Sequence, residues 1–215
     1  ISTQIKSNKQ DDAASNKASR PLVDTPQSIQ VIPSEVLKEQ SAQTLEQVLR
    51  NVPGVTFSSG EGGAGWGDMF TIRGMQAEQA VTVDEVRDSA LTTRTDTFNL
   101  ENVDVYKGTG SFETGVGSFG GGVNLVSKAP HLGDANELSL GVGTDDYRRA
   151  TLDMNRQLSD TVAIRLNAMG HKNGVAGRGP TEMERWGIAP SISFGLGTPT
   201  RATLSYFYQK DENIP

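Results

Sequence analysis

The sequence predicts two regions of different fold class: an α+β domain, then a run of antiparallel strands. Three observations predict this. Up to about residue 130, short apolar runs are punctuated by helix caps and turn residues. After Pro130, five segments of roughly ten residues alternate apolar with polar, and no helical pattern lies between them. Glycine supplies 24 of 215 residues, about 11 % against a usual ~7 %, which suits tight turns and close backbone approach.

Residues 1–20 are dominated by Ser, Thr, Gln, Asn, Lys and Asp, the composition of a flexible N-terminal arm. Residues 21–130 hold the α+β domain. Ser28–Ile32 reads as a strand, and Pro33-Ser34-Glu35 opens a helix to about Gln40. Thr44 with Gln47 is a capping-box pair. Leu45, Val48 and Leu49 share one helical face, and Pro53-Gly54 ends that helix. Strands are expected at Val55–Ser58, Phe70–Arg73, Ala80–Val86, Asn102–Lys107 and Gly122–Lys128.

Residues 131–215 carry the alternating segments. Leu138, Leu140 and Val142 form the first; Ala150, Leu152 and Met154 the second; Val162, Ile164, Leu166 and Ala168 the third. Ile188 to Leu196 and Ala202 to Tyr208 complete the five. Such a sheet has one apolar face, which fits the wall of a membrane barrel or one side of a soluble sandwich. Ser159-Asp160, Gly197–Thr200 and Asp145-Asp146 read as tight turns. Residues 171–184 read as one long loop, and Lys210–Pro215 as the start of another.

Composition narrows the function. The net charge, 20 − 26 = −6, argues against a nucleic-acid surface. With no cysteine there is no disulfide, thiolate nucleophile or Cys-zinc site. His131 and His171 lie 40 residues apart, outside any metal-ligand spacing, and both are expected in solvated loops. No G-x-S-x-G elbow occurs, so neither catalytic residues nor a metal site are assigned. No run of 18 apolar residues exists for a membrane helix, which leaves a barrel open. No signal peptide precedes Ile1, which reads as the start of a processed or trimmed chain.

Gly115-Val-Gly-Ser-Phe-Gly-Gly-Gly-Val-Asn-Leu-Val-Ser-Lys-Ala-Pro130 contains a G-x-G-x-x-G string. A dinucleotide site needs a helix after those glycines. Here they run into Val123–Val126, which reads as a strand. A soluble nucleotide-binding enzyme is therefore the minor alternative.

The same stretch resembles the end of the plug domain in TonB-dependent outer-membrane receptors. Asp24–Pro33, Leu45–Val55, Ile72-Arg-Gly74 and Val103–Gly108 resemble other plug segments, in the family's order. The siderophore branch is the most similar in wording, and Glu184–Thr200 with Asp211–Pro215 resembles its catecholate-type members. The resemblance implies an α+β plug domain followed by the first five strands of a transmembrane β-barrel of about 22 strands, so the chain reads as the N-terminal part of a longer protein. It implies residence in the bacterial outer membrane, with the plug in the barrel lumen and lipid and lipopolysaccharide around the wall. It implies transport of a ferric siderophore, not enzymatic activity, with iron entering as the complex and no intrinsic cofactor. TonB is the implied energy partner, and Ile1–Ile5 could hold a remnant of its contact segment. The same fold could import cobalamin, haem or a glycan.

In this family, plug apices that face outward touch the ligand. The implied apices are Ser58–Asp68, with Glu61 and Trp66; Met75–Gln79, with Gln79; and Arg87–Asp96, with Arg87, Arg94 and Asp96. Arg73 and Lys107 match the basic signature positions that meet carboxylates of the barrel wall. Glu85 stands where the family usually has glycine after Asp84.

Overall fold

The computed structural model describes residues 21–24, 27–57, 68–88, 94–108, 119–175, 177 and 181–214. The chain divides into two compact units, Ile1–Ser127 and Lys128–Pro215.

The first unit begins with strand β1 (Ser28–Pro33) and helices α1 (Ser34–Glu39) and α2 (Leu45–Leu49). Thr44 caps α2: its hydroxyl accepts from the Gln47 amide at 3.3 Å. Gln47 reaches back to the Gln43 amide at 2.7 Å, one residue before the usual capping-box target. The helix stops at Leu49, short of Pro53, because the Val52 amide bonds the Leu49 carbonyl and turns the chain.

Short strands follow: β2 (Val55–Phe57), β3 (Phe70–Ile72), β4 (Met75–Gln76), β5 (Val81–Val83) and β6 (Val86–Arg87). Two longer ones, β7 (Leu100–Lys107) and β8 (Gly121–Ser127), complete the unit. They build a five-stranded sheet in the order β1-β7-β8-β5-β6 and a three-stranded sheet β2-β3-β4. The single strand expected over Ala80–Val86 is in fact a hairpin. Asp84 and Glu85 both take positive φ, 49° and 69°, and fold β6 back on β5. Arg73 likewise leaves its strand, with φ 53°, and turns the chain into β4.

The α2 face packs Leu45, Val48 and Leu49 onto Phe70, Ile72, Val103, Val105, Val123 and Leu125 in one buried cluster. Each such side chain stabilises the fold by roughly 1.5–3 kcal/mol. Truncating Leu49, which is fully buried, would cost about 2–5 kcal/mol through lost contacts and a cavity.

The second unit is one antiparallel sheet: β9 (Ala135–Val142), β10 (Arg148–Gln157), β11 (Val162–Gly174), β12 (Glu182–Phe194), β13 (Ala202–Ser205) and β14 (Tyr208–Ile214). β13 and β14 pair with β12 in one register, Ser191 with Ser205 and Ile188 with Tyr208. They form a single strand broken opposite Pro190. The Tyr206 amide still donates to the Pro190 carbonyl at 3.0 Å, but Pro190 has no amide to return. Five wall strands result.

Two loop expectations are overturned. Residues 171–174 and 182–184 belong to β11 and β12, and Lys210–Ile214 continues the last strand. These polar ends pair as strand because opposite charges meet across them: Lys172 with Glu182 at 3.2 Å, and Arg185 with Asp211 at 3.1 Å. His171 is consequently not a solvated loop residue. It is buried in β11, with Nε2 2.9 Å from Asn173 Oδ1 and its ring edge-on to Tyr147 at 5.4 Å. His131 is exposed, as a solvated loop residue should be.

The sheet has a membrane-facing side. Leu138, Leu140, Trp186, Ile188, Phe194, Leu204, Tyr206 and Tyr208 are exposed on one face. Asn155, Asn167, Arg185 and Ser193 are buried on the other. Trp186 stacks against Tyr208 at 5.1 Å, like the aromatic girdle of a barrel. Along β12, Trp186 and Phe194 lie eight residues apart. At ~3.4 Å per residue and a tilt of about 40°, that span covers roughly 20 Å of membrane, close to the apolar band of such barrels.

Candidate functional site

The implied apices are anchored by hydrogen bonds at their feet. Asp68, after the first apex, accepts the Thr95 amide on its carboxylate at 3.0 Å. The feet of the first and third apices are therefore stapled together. Thr97 adds a bond from its hydroxyl to the Ala42 carbonyl at 2.8 Å, and the Leu45 amide bonds the Thr95 carbonyl at 3.2 Å. The third apex is thus fixed to the N-terminus of α2.

Of the apex residues, Glu61 and Trp66 lie outside the described residues. Gln79 is exposed on a 3-10 turn, Glu78–Ala80. Arg87 is exposed at the end of β6, paired with Thr82. Arg94 is half-buried and already engaged within the chain. Asp96 differs from the rest. It is 1 % exposed, and its carboxylate accepts the Phe98 amide at 3.0 Å to cap the turn Thr97–Asn99. Its side chain faces the domain interior and not an outer surface, because the capped turn buries Phe98 beside it.

Arg73 and Lys107 come together. The Arg73 amide donates to the Gly54 carbonyl at 2.8 Å, and its guanidinium reaches Gly108. The Lys107 ammonium donates to Gln30 Oε1 at 3.0 Å. Burial, and then the Arg73 charge, hold the Lys107 pKa below that of an ordinary lysine. Among the described residues neither base forms an ion pair. Two adjoining cations of this kind suit a carboxylate supplied from elsewhere.

Sequence reasoning missed the joint between β5 and β8. The Thr82 hydroxyl donates to Asn124 Oδ1 at 2.8 Å, and the Glu85 amide donates to the same oxygen at 3.0 Å. Asp84 Oδ1 accepts the Ser127 amide at 2.8 Å. The β5–β6 hairpin, which carries Arg87, is thereby bolted to β8. The polar Asn124 within an otherwise apolar strand was the available signal.

The glycine string opens a strand, β8, and no helix follows it. Gly120 and Gly121 lie so close to the Ile72 and Tyr106 carbonyls that a Cβ on either would collide. Close backbone crossing accounts for these two glycines, and the dinucleotide reading loses its structural requirement. Among the described residues, no group of three or more His, Cys, Asp or Glu side chains gathers as a metal site.

Comparison with known proteins agrees with this architecture. Residues 21–122 match the TonB-dependent receptor plug domain. The chain is 44 % identical to the probable TonB-dependent siderophore receptor PiuA of Acinetobacter baumannii over 214 residues, 99 % of this chain and 29 % of that protein. The crystal structure of that receptor superposes with TM-score 0.92, at 43 % identity, covering 99 % of this chain and 30 % of the other. This chain belongs to the TonB-dependent receptors.

The catecholate siderophore receptor Fiu of Escherichia coli K12 is 40 % identical over 205 residues, 94 % of this chain and 27 % of that receptor. Its closed-form crystal structure superposes with TM-score 0.90 at 39 % identity, covering 96 % of this chain and 29 % of the other. The chain thus spans under a third of the length of these receptors. Within a TonB-dependent receptor, the first unit is the plug and the second the leading strands of the transmembrane β-barrel.

Proposed function

We propose that this chain supplies the plug and leading wall strands of an outer-membrane importer of ferric siderophores, of catecholate type, energised through TonB. The observation that carries the reading is the extent of the likeness. Plug and wall align together with proteins named as siderophore receptors, one of them a catecholate receptor. A ferric siderophore brings its iron already wrapped, so the plug has to offer cations and flat side chains and not metal ligands. Gln79, Arg87 and Arg94 on the described apices, with Glu61 and Trp66 on the first, are the contacts we assign. The paired bases Arg73 and Lys107 would meet wall carboxylates of the complete receptor. The apolar band between Trp186 and Phe194 would face lipid and lipopolysaccharide.

The test is growth of an iron-starved, receptor-null strain carrying the complete receptor. Rescue is expected with ferric catecholates. Rescue by cobalamin uptake, haem or a glycan instead would keep the fold and reassign the cargo.

A further inference from the structure

Asp153, Asn155 and Gln157 stand two residues apart on β10, so their side chains leave the same face of the sheet. All three hold the stretch 128–134, which leads from the plug unit into β9. Asp153 Oδ2 takes the Lys128 ammonium at 2.9 Å. Its two oxygens also accept both prongs of Arg165, at 2.9 and 2.8 Å. Arg165 donates its remaining arm to the Ala129 carbonyl at 2.9 Å. Asn155 accepts the His131 amide at 3.1 Å and donates to the His131 and Gly133 carbonyls at 2.8 and 2.6 Å. Gln157 accepts the Gly133 amide at 2.7 Å on its side chain, and its own amide bonds Asp134 at 2.9 Å.

The charged members are well shielded. Side-chain exposure is 9 % for Lys128, 15 % for Asp153 and 11 % for Arg165. Breaking such a trio leaves a desolvated charge behind, which makes it far harder to part than a surface pair. On the plug side of the boundary, the Ser127 amide is fixed to Asp84 at 2.8 Å. A residue held by the plug and a residue held by the wall are therefore joined by a single peptide bond.

We propose that the Asp153–Asn155–Gln157 ladder is a mechanical anchor, and that the Ser127–Lys128 junction is the one pivot between plug and wall. Load applied to the plug from its N-terminal end unravels or turns residues up to Ser127 and stops at Lys128. The stretch 128–134 behaves as part of the wall. This goes beyond the transport reading and does not depend on the cargo.

The experiment is single-molecule pulling on the N-terminus of the complete receptor in a lipid bilayer. In the parent, the last plug step is expected to end at Ser127, with residues 128–134 coming away only with β9. Asp153→Ala combined with Asn155→Ala should free those seven residues earlier. At about 3.4 Å per residue the last plug step lengthens by roughly 24 Å. Asp153→Glu, which keeps the ion pairs, should restore the parent length. If the double variant does not reach the membrane, Lys128→Met with Asn155→Ala gives the same readout while leaving the Asp153–Arg165 pair intact. A parent step that already contains residues 128–134, or a variant step of unchanged length, overturns the anchor. Either result leaves the transport reading untouched, because no ligand enters the measurement.

Discussion

The Arg73 guanidinium lies against Gly108, so near that a Cβ on that glycine would stand 3.0 Å from Nη1. Gly108 also has φ 111°, a conformation that side chains oppose. The stretches Ile72-Arg-Gly74 and Tyr106-Lys-Gly108, 34 residues apart in the chain (106 − 72), are therefore packed on one another. Gly108→Ala is expected to destabilise the plug by about 1–2 kcal/mol through backbone strain. Arg73→Ala in the same background should recover the contact part of that loss and not the strain. Thermal unfolding of the single and double variants checks this; full recovery in the double variant would show the strain argument to be wrong.

Lys107 carries a pH dependence whose sign follows from its lowered pKa. The unfolded chain binds this proton more tightly than the folded plug, since burial and Arg73 both oppose the charge. Between the lowered pKa and the ordinary 10.5, the unfolded state holds more protons. Stability from this group therefore rises with pH across that window, and its penalty is fully present below it. Denaturant midpoints of parent and Lys107→Gln, measured over an alkaline pH series, should converge or cross as pH approaches the upper limit. Arg73→Ala should narrow the window. A pH-independent difference between parent and Lys107→Gln contradicts the assignment.

Glu85 stands at the second position of a turn whose two central residues both have positive φ. Such turns favour Asn-Gly or Asp-Gly. A left-handed glutamate costs about 1–2 kcal/mol, and a glycine would return roughly 0.5–1 kcal/mol of that as extra freedom in the unfolded chain. Glu85→Gly is thus expected to raise plug stability by up to about 1 kcal/mol. Asp84→Gly should lower it, because the bond to the Ser127 amide disappears. Chemical denaturation of both variants measures the contrast, and a loss of stability in Glu85→Gly would refute it.

The elements that the sequence revealed are those specified locally. Leu152 and Met154 alternate with Asp153 and Asn155, and a period of two is visible within a few residues. The α2 cap, Thr44 with Gln47, also lies within one turn of helix. What escaped depends on distant partners. The Thr82–Asn124 bond joins residues 42 apart, and no spacing rule encodes it. Residues 171–174 looked like loop because His, Lys, Asn and Gly are poor strand formers. Opposed charges on β12 and β14 hold them in the sheet, and that pairing appears once the register is known. Asp96 looked like an apex acid because a capping aspartate and a solvent-facing one look alike in sequence. Its burial distinguishes them.

Ligand capture is the sharpest test of the apex assignment. A ferric catecholate is anionic and rich in aromatic rings. Arginine suits it, since the guanidinium stays charged, donates hydrogen bonds and stacks on rings. Arg87 is exposed on a hairpin bolted to β8 through Asn124, and Arg94 precedes a segment stapled to Asp68 and α2. Both cations therefore rise from fixed feet, which lowers the entropy lost on binding. A charge-assisted contact contributes roughly 1.5–3 kcal/mol, or about 10- to 150-fold in affinity. Arg87→Ala with Arg94→Ala in the complete receptor is expected to weaken ferric-catecholate binding at least about tenfold, with unchanged abundance in the outer membrane. Binding isotherms on purified receptor, with a hydroxamate complex as the control ligand, measure the loss. Asp96→Ala should instead lower plug stability, because that carboxylate caps a turn inside the domain. If the double variant binds the catecholate as tightly as the parent, the two arginines are not the capture site, and the contacts come from parts of the complete receptor outside residues 87–94.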